Sequence, residues 1–144
     1  MLRGAGVSLE VLCLRRGPHG RSPGSWEAVH GHIDPGETPV ATARRELLEE
    51  AGALPERLYN LSRVEVFYRH TTNEVVGIPV FAAFLAPTAA ILLSTEHDAS
   101  EWLLPALARE RMSWPRVRRE IDDAVALLGG GDAGGLEDVL TIQE

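Results

Sequence analysis

The chain has 144 residues, 44% of them hydrophobic, a content that suits one domain with its own core. Its 14 basic and 21 acidic residues give a formal net charge of −7, which argues against a nucleic acid polymer as a partner. We find no apolar stretch of membrane-spanning length and no signal-peptide core, so we expect no membrane partner and a cytoplasmic location. The single cysteine, Cys13, excludes an internal disulfide and is predicted to be a buried structural thiol.

The first part of the chain predicts two extended segments separated by a loop. Apolar residues alternate over residues 7–15, which predicts a first strand that begins at Val7. Glycine, proline and serine then predict a loop over residues 17–25. Residues 26–29 are predicted to be short and extended.

The clearest helix signal lies between Thr38 and Gly52. Thr38 is a good N-cap, and Pro39 fits the first helical position, where a missing N–H costs nothing. Gly52 suits the left-handed residue that ends a helix, and Pro55 prevents the helix from resuming. We therefore predict a helix over residues 39–51.

Two long strands are predicted over residues 61–68 and 75–85, joined by a polar turn at residues 71–73. Pro79 lies within the second strand and lacks an N–H, so it predicts either an edge position or a bulge. Residues 91–93 form a short apolar run that is a candidate for brief strand pairing.

A second helix is predicted to begin at Pro115. Its apolar stripe has five members at helical spacing: Val117, Ile121, Ala124, Val125 and Leu128. Residues 129–135 are rich in glycine and predict a flexible linker, which an isolated tail of nine residues follows. We therefore predict one α/β domain over residues 1–128, with a mixed sheet between helices in an α/β/α arrangement, and a linker and tail over residues 129–144.

Three glutamates of the first predicted helix share one face. Glu46, Glu49 and Glu50 are spaced i, i+3 and i+4, which makes a compact acidic cluster. Like charges this close repel by roughly a few tenths of a kcal/mol per pair, and carboxylates arranged this way suit Mg²⁺ or Mn²⁺. Arg45 is predicted to point away from this face and to hold Glu37 or a loop carbonyl. The alternative interpretation is a solvated, charged helix face.

Residues 31–53 resemble the Nudix box, the signature of the Nudix hydrolases, which is written G-x5-E-x7-R-E-U-x-E-E-x-G-U with U aliphatic. Eight residues fall in register with it: Gly31, Glu37, Arg45, Glu46, Leu47, Glu49, Glu50 and Gly52. Ala53 departs from the motif because it is small where a larger aliphatic residue is usual. The chain also has Val29-His30 before the first glycine, where many family members carry Pro-Gly.

This resemblance implies the Nudix fold and a hydrolase that depends on Mg²⁺ or Mn²⁺. The implied substrate is a phosphorylated small molecule that is cleaved at a phosphoanhydride bond. It is either a nucleoside diphosphate linked to another group or a nucleoside or pterin triphosphate. The implied metal ligands are Glu46, Glu49, Glu50 and the loop at Gly31. Glu49 and Glu46 are the first candidates for the proton acceptor, and Arg45 completes the catalytic set.

A second polar cluster, Thr-Glu-His-Asp at residues 95–98, precedes a Trp-Leu pair at residues 102–103. On composition alone this cluster is a polar turn. Together with Trp-x-x-Val-x-Gly at residues 26–31, it resembles the dihydroneopterin triphosphate and dATP pyrophosphatase branch of the Nudix enzymes. That resemblance makes Glu96 a fourth candidate metal ligand or base. His97 would either orient a phosphate or serve structure.

Several residues are candidates for contact with the substrate. Arginine has a planar fork that suits phosphate oxygens, although most surface arginines are only solvated. The basic candidates are Arg15, Arg16, Arg63 and Arg69. Trp26 and Tyr68 are candidates to stack on a base or pterin ring, whereas core packing is the alternative and is favoured for Tyr68.

Two other functions stay open at this point. Some proteins that resemble this family isomerise isopentenyl diphosphate with a cysteine and a glutamate near the metal, but Cys13 lies in a predicted strand before the box. A Nudix-fold sensor would bind a nucleotide metabolite without cutting it, and the intact box carboxylates argue against that role. The motif does not specify the substrate. A homodimer is a further expectation.

Overall fold

A computed structural model describes residues 1–143 and gives the chain a mixed sheet of six strands. The strands are β1 (Leu2–Arg3), β2 (Glu10–Arg16), β3 (Trp26–Glu27), β4 (Arg57–Arg69), β5 (Glu74–Phe84) and β6 (His97–Leu103). Their order is β3-β2-β1-β5-β4, and β6 pairs with β2. Because β1 runs parallel to β5 and the other strand pairs are antiparallel, the predicted mixed sheet is confirmed.

Helices cover both faces of this sheet. They are α1 (Pro39–Ala51), α2 (Pro105–Arg111), α3 (Pro115–Leu128) and α4 (Glu137–Leu140). Leu47 of α1 packs with Leu58, whereas Ile121 of α3 shares the larger core with Tyr59. Adjacent residues of a strand point to opposite faces, so the predicted α/β/α layering is confirmed. No helix within residues 1–143 is both long and apolar enough to cross a membrane.

Helix α1 begins and ends where its sequence predicts. The Thr38 hydroxyl accepts a hydrogen bond from the N–H of Ala41 at 3.2 Å, and Pro39 occupies the first turn. Gly52 ends the helix with a left-handed φ of 65°. A Cβ on Gly52 would lie 2.7 Å from the Cβ of Leu92, so both the backbone conformation and the available space require glycine there.

The first predicted strand begins later than expected, and a shorter strand precedes it. Val7 is fully exposed in a 3₁₀ turn, and β2 begins only at Glu10. Gly4 and Gly6 have φ values of 75° and 55°, which turn the chain back on itself after β1. The alternation of apolar residues therefore extended the predicted strand into a turn that the glycines form.

The predicted hairpin is present, and β4 carries a bulge. The register of β4 against β5 shifts between Asn60 and Val64, where Ser62 has a φ of 51° and donates its N–H to the Asn60 side chain at 2.9 Å. Pro79 pairs with Val64 at the end of this bulge. At Pro79, β5 pairs with β4 alone among the described strands, because β1 reaches β5 only at Phe84, so the structure agrees with both the bulge and the edge interpretations of Pro79.

Two elements near the end of the sheet were not predicted. Residues 95 and 96 turn as expected, but β6 begins at His97 and pairs along β2, and the short helix α2 follows it. The expected strand pairing of residues 91–93 is absent from the described chain. Instead, the N–H of Leu92 donates to the carbonyl of Ala51 at 2.9 Å and fixes this segment to the end of α1.

The chain beyond Leu128 packs on the domain, whereas an isolated tail was expected. Glu137 accepts hydrogen bonds from the Tyr59 hydroxyl and from the N–H of Ala133, both at 2.8 Å. Leu140 is buried in the larger core, and the N–H of Ile142 donates to the carbonyl of Leu58 at 2.8 Å. The expectation was wrong because these contacts join positions about 80 residues apart, which local composition does not indicate.

Candidate active site

The three box glutamates lie on one edge of α1 but in different surroundings. Glu50 is buried at 5% exposure, Glu46 is half-buried, and Glu49 is exposed. The helix therefore presents a gradient from an enclosed carboxylate to an open one along the same face. Such a gradient gives chemically identical side chains different access to solvent and to a ligand.

Arg45 donates hydrogen bonds to several carboxylates and to one carbonyl at this edge. Its guanidinium binds both carboxylate oxygens of Glu37 at 3.1 Å and the carbonyl of His32 at 2.9 Å, which are the two kinds of partner that the sequence suggested. It also contacts Glu46 at 2.8 Å and Glu49 at 3.1 Å, so the expectation that it points away from the acidic face is wrong. The arginine side chain is long enough to reach around the helix to the neighbouring turn.

Glu37 is held in its charged form by this contact. The hydrogen bond from Arg45, with a second from the Thr42 hydroxyl at 2.7 Å, lowers the pKa of Glu37 to about 2. Its carboxylate also accepts the N–H of Asp34 at 3.3 Å, across the turn that leads into α1. Arg45 and Glu37 together fix the loop against the helix.

Glu50 carries a buried oxygen without a partner. Its Oε2 atom accepts no hydrogen bond from any described residue. Burial raises the pKa of Glu50 to about 8, and the charges of Glu46, Glu96 and Glu27 add to the rise. A buried carboxylate without a donor is costly for a fold to keep. Glu50 is therefore the box residue whose surroundings call most strongly for a cation.

Gly31 brings the loop backbone directly against Glu46. A Cβ on Gly31 would lie 1.8 Å from the Oε1 atom of Glu46, so only glycine leaves room for that carboxylate. The loop therefore places backbone atoms beside the acidic edge of α1. The resemblance to the Nudix box implied that this loop takes part in a metal site.

Glu96 approaches the same region from the other side. The N–H of Ser94 donates to the carbonyl of Glu50 at 3.3 Å, which fixes the segment just before Glu96 to the end of α1. The Glu96 side chain is 55% exposed and accepts a hydrogen bond from Arg16 at 2.7 Å. The structure thus brings Glu96 and Arg16 to the edge of the site.

One buried residue of this region was missed by the sequence analysis. Glu27 lies at the end of β3, and its Oε1 atom is 2.6 Å from Nε of Arg16 and 3.0 Å from Nε2 of His97. The His97 side chain is fully buried, so of its two predicted roles the geometry agrees with the structural one. The sequence contained one signal for this residue. Glu27 is acidic and follows Trp26 in a segment that is predicted to be extended.

The remaining candidates divide into near and distant ones. Arg15 ends β2 next to Arg16 and forms an ion pair with Asp98 at 2.7 Å, and Trp26 pairs with Arg15 across β2 and β3. Tyr68 is 60% exposed, so the favoured core position is wrong. It lies on β4, which β1 and β5 separate from β2, and its hydroxyl bonds the side chain of Asn73.

The other two arginine candidates lie on the same distant hairpin. Arg63 forms ion pairs with Glu65 and Asp123, and Arg69 lies 3.8 Å from Glu74. Both guanidiniums are therefore engaged by carboxylates, away from the acidic edge of α1.

The donor set fits a hard divalent cation, although its side chains are not gathered around one point. Within residues 1–143, no three histidine, cysteine or acidic side chains lie close enough to one another to share an ion as they stand. Arg45 holds Glu46 and Glu49, and Arg16 holds Glu96. The unpartnered oxygen of Glu50 and the loop backbone that Gly31 brings against Glu46 supply oxygen atoms, the ligand type that both Mg²⁺ and Mn²⁺ prefer.

Comparison with known proteins adds a family assignment to this geometry. Residues 3–124 match the NUDIX domain family, a range that includes α1 and Glu96. A MutT-like protein from Streptomyces ambofaciens is 31% identical over 122 residues, which cover 84% of this chain and 70% of that protein.

Two further relatives are matched over only part of their length. An octanoyltransferase from Myxococcus xanthus is 32% identical over 133 residues, which cover 88% of this chain and 35% of that protein. An isopentenyl-diphosphate Delta-isomerase from Corynebacterium diphtheriae is 30% identical over 105 residues, which cover 67% of this chain and 57% of that protein. The chain thus spans between a third and three fifths of these two relatives.

Solved structures share the fold. A C. elegans Ap4A hydrolase in a binary complex superposes with a TM-score of 0.72 at 25% identity, over 90% of this chain and 93% of that one. The E. coli dihydroneopterin triphosphate pyrophosphohydrolase superposes with a TM-score of 0.69 at 23% identity, over 87% and 91%. At 23% identity, the similarity to the E. coli enzyme is a similarity of fold.

A mixed sheet between helices, with an acidic edge on its first helix, defines this molecule as a Nudix-type domain. The chain belongs to the Nudix hydrolase family. The Nudix fold and the family resemblance that residues 31–53 indicated are thereby confirmed.

Proposed function

We propose that this chain is a hydrolase that depends on a divalent metal and cleaves a phosphoanhydride bond in a nucleotide-linked or pterin-linked small molecule. The observation that carries the proposal is the buried, unpartnered Oε2 atom of Glu50. An apolar or amide side chain would fill this position at less cost, because it has no carboxylate whose charge must be either desolvated or neutralised by a proton. A carboxylate is retained there because it binds a cation during the reaction.

The residues proposed to hold Mg²⁺ or Mn²⁺ are Glu46, Glu49 and Glu50, with Glu96 and the loop backbone at Gly31 as further candidates. When bound, such an ion screens the charge of the phosphates and lowers the pKa of the attacking water. Arg45 supports this set by holding the loop at His32 against the helix. We include it in the catalytic set for that reason.

A proton acceptor must keep an oxygen free of the metal, and Glu49 and Glu46 are the first candidates. Glu49 is exposed, and among the described residues its Oε2 atom contacts only Arg45, at 3.1 Å, so it has the access that the role requires. Glu46 lies between Arg45 and Gly31 and is more confined. Glu96 is the third candidate, since it approaches from the opposite side.

Substrate contacts are proposed at the end of β2 and at β3. Arg15 is the candidate to bind phosphate oxygens, because the Arg16 guanidinium is held between Glu27 and Glu96. Trp26 is the candidate to stack on a ring. One face of Trp26 is covered by the guanidinium of Arg111, 4.7 Å from the ring centroid. We do not propose Tyr68 or His97 as direct contacts, because the first is distant and the second is buried.

The substrate class rests on the similarity to other proteins and on charge. The relatives and structures named above include an Ap4A hydrolase and a dihydroneopterin triphosphate pyrophosphohydrolase. A net charge of −7 favours a small substrate whose phosphates are screened by a metal over a polymer. The single, buried cysteine suits a reducing compartment such as the cytoplasm.

The isomerase alternative has support from one relative but not from Cys13. This thiol is buried in the core of β2, and burial raises its pKa to about 11, which makes it a poor reacting group at neutral pH. Phosphorus NMR separates the two reactions, because an isomerisation releases no phosphate fragment. A sensor that only binds its ligand is separated by any turnover assay.

The deciding experiment is a substrate panel with Mg²⁺ and with Mn²⁺, scored by kcat/KM. It contains nucleoside triphosphates, dinucleoside polyphosphates, nucleotide sugars and dihydroneopterin triphosphate. We expect one class to be cleaved to phosphorylated fragments and Glu50→Gln to abolish that activity. Absence of cleavage of every compound by the wild-type chain with either metal would contradict the proposal.

A further inference from the structure

Glu27 is a buried carboxylate outside the Nudix box that binds two other side chains. It is 5% exposed, and its Oε1 atom receives Nε of Arg16 at 2.6 Å and Nε2 of His97 at 3.0 Å. Burial alone would raise the pKa of Glu27, but the hydrogen bond from His97 and the nearby His30 and Arg16 side chains hold that pKa below its usual value. Glu27 is therefore an anion at neutral pH.

Arg16 connects this buried anion to the edge of the active site. While its Nε atom lies against Glu27, its NH1 atom donates to Glu96 at 2.7 Å. The N–H of Gly17 also donates to the carbonyl of Glu96 at 2.8 Å. Glu96 is thus held by backbone and side chain from the end of β2, and the side-chain contact depends on where Glu27 holds the guanidinium.

A bulge in the sheet places His97 in this network. The pairing of β2 with β6 shifts after Arg15, so that Arg16 lies opposite His97 and not opposite Asp98. A carboxylate only accepts hydrogen bonds. The Nε2 atom of His97 therefore carries the ring N–H, and this N–H donates a hydrogen bond to Glu27. The Nδ1 atom is buried and has no partner among the described residues, so the ring is held by a single polar contact with Glu27.

We propose that Glu27 and His97 are positioning residues, which fix the Arg16 guanidinium so that it holds Glu96 beside the box carboxylates. The inference rests on the proposed hydrolase function, because Glu96 matters only if a reaction takes place there. Glu27 and His97 do not touch the substrate in this account. They act through Arg16 and Glu96.

Glu65 offers a matched control for Glu27. It is also buried, at 7% exposure, and its carboxylate likewise binds two side chains, Arg63 at 3.0 Å and Arg119 at 2.9 Å. It lies on β4, between the sheet and α3, away from the box carboxylates. Glu65→Gln therefore removes the same kind of buried ion pair from a place where no catalytic group depends on it.

The test is a double-mutant cycle on kcat with the best substrate of the panel. Glu27→Gln is expected to lower kcat about tenfold or more in the wild-type background, since small displacements of catalytic groups have effects of this size. In the Glu96→Gln background it should cause almost no further loss, because its effect passes through Glu96. The melting temperature should fall in both backgrounds, and Glu65→Gln should lower it while leaving kcat unchanged.

A second pair of variants tests the hydrogen bond from His97. His97→Gln keeps an N–H donor near the position of Nε2, whereas His97→Leu removes it. We expect the first to retain most of the wild-type kcat and the second to match Glu27→Gln.

Each outcome of these experiments has a defined meaning. An equal loss of kcat from Glu27→Gln in both Glu96 backgrounds, or a loss that Glu65→Gln also causes, overturns the inference while the hydrolase assignment stands. A wild-type chain that cleaves nothing overturns the proposed function first and this inference with it. The activity of the wild type therefore distinguishes the two failures.

Discussion

Two buried glutamates show opposite solutions to the same physical problem. Glu65 is 7% exposed, binds Arg119 at 2.9 Å and Arg63 at 3.0 Å, and the hydrogen bond from Arg119 lowers its pKa. Glu50 is 5% exposed, has one oxygen without a partner among the described residues, and its pKa rises to about 8 because it is buried. The fold compensates the charge of Glu65 with two arginines, whereas within residues 1–143 it does not supply a cation that binds the free oxygen of Glu50.

This difference is what we expect if Glu65 has a structural role and Glu50 has the metal-binding role that we propose. Around Glu65, strand β4 and helix α3 supply the compensating charges, so the fold is complete without a ligand. Around Glu50, the charges of Glu46, Glu96 and Glu27 increase the cost of its own charge, and the smaller effect of Arg16 does not offset them. A fold that keeps such an arrangement gives up stability at the site where its chemistry takes place.

The largest difference between the two glutamates is expected in catalysis. With Mg²⁺ at saturation, Glu50→Gln should lower kcat by about a thousandfold, because it removes one ligand charge from the proposed metal site. Glu65→Gln should leave kcat within about twofold of wild type. Steady-state kinetics measures both. A Glu50→Gln enzyme that keeps more than about a tenth of the wild-type kcat would contradict the assignment of Glu50 as a ligand.

For stability, in contrast to catalysis, we expect the larger loss from the Glu65 variant. Glu65→Gln should lower the free energy of unfolding by about 2 kcal/mol, because it leaves Arg63 and Arg119 without their shared carboxylate. Urea denaturation followed by circular dichroism gives this number, with Arg119→Gln as the complementary variant. A loss below about 0.5 kcal/mol would mean that the pair is no more than a surface contact.

Glu50→Gln is expected to stabilise the metal-free protein, by several kcal/mol at pH 8.5 and by about 1 kcal/mol or less at pH 5. The folded pKa of Glu50 lies above the unfolded value of 4.5, so the folded state binds the proton more tightly. Wild-type stability therefore falls as the pH rises from 4.5 to about 8, and glutamine escapes that loss. Melting curves in EDTA at the two pH values test this. An equal difference at both would show that Glu50 does not titrate as described.

Sequence alone identified the parts of the molecule whose determinants are local. The caps Thr38 and Gly52 fixed α1 to the residue, and the i, i+3, i+4 spacing of the glutamates placed them on one edge. The turn of Gly4 and Gly6 was missed because apolar alternation continues through it. These features depend on residues within one or two turns of one another.

The missed features depend on distant contacts. Glu27 acquires its role from His97, 70 residues away, and the register shift that sets their contact has no local signal. Tyr68 was expected in the core because strand aromatics usually pack there. However, α1 packs against the other end of the hairpin, at Leu58, and leaves Tyr68 exposed. The contacts of Glu27 and the exposure of Tyr68 depend on which helices and strands pack against one another. A single sequence does not indicate that packing.

Calorimetric titration with Mg²⁺ at pH 7, in two buffers of different ionisation enthalpy, tests the central claim most directly. With a pKa of about 8, Glu50 is about nine-tenths protonated at that pH, so we expect the wild type to release close to one proton as the ion binds. We expect Glu50→Gln to bind at least about tenfold more weakly and to release none, while Glu65→Gln behaves as wild type. Binding of Mg²⁺ by Glu50→Gln with unchanged affinity, or no binding by the wild type, would contradict the claim that the box carboxylates hold a metal.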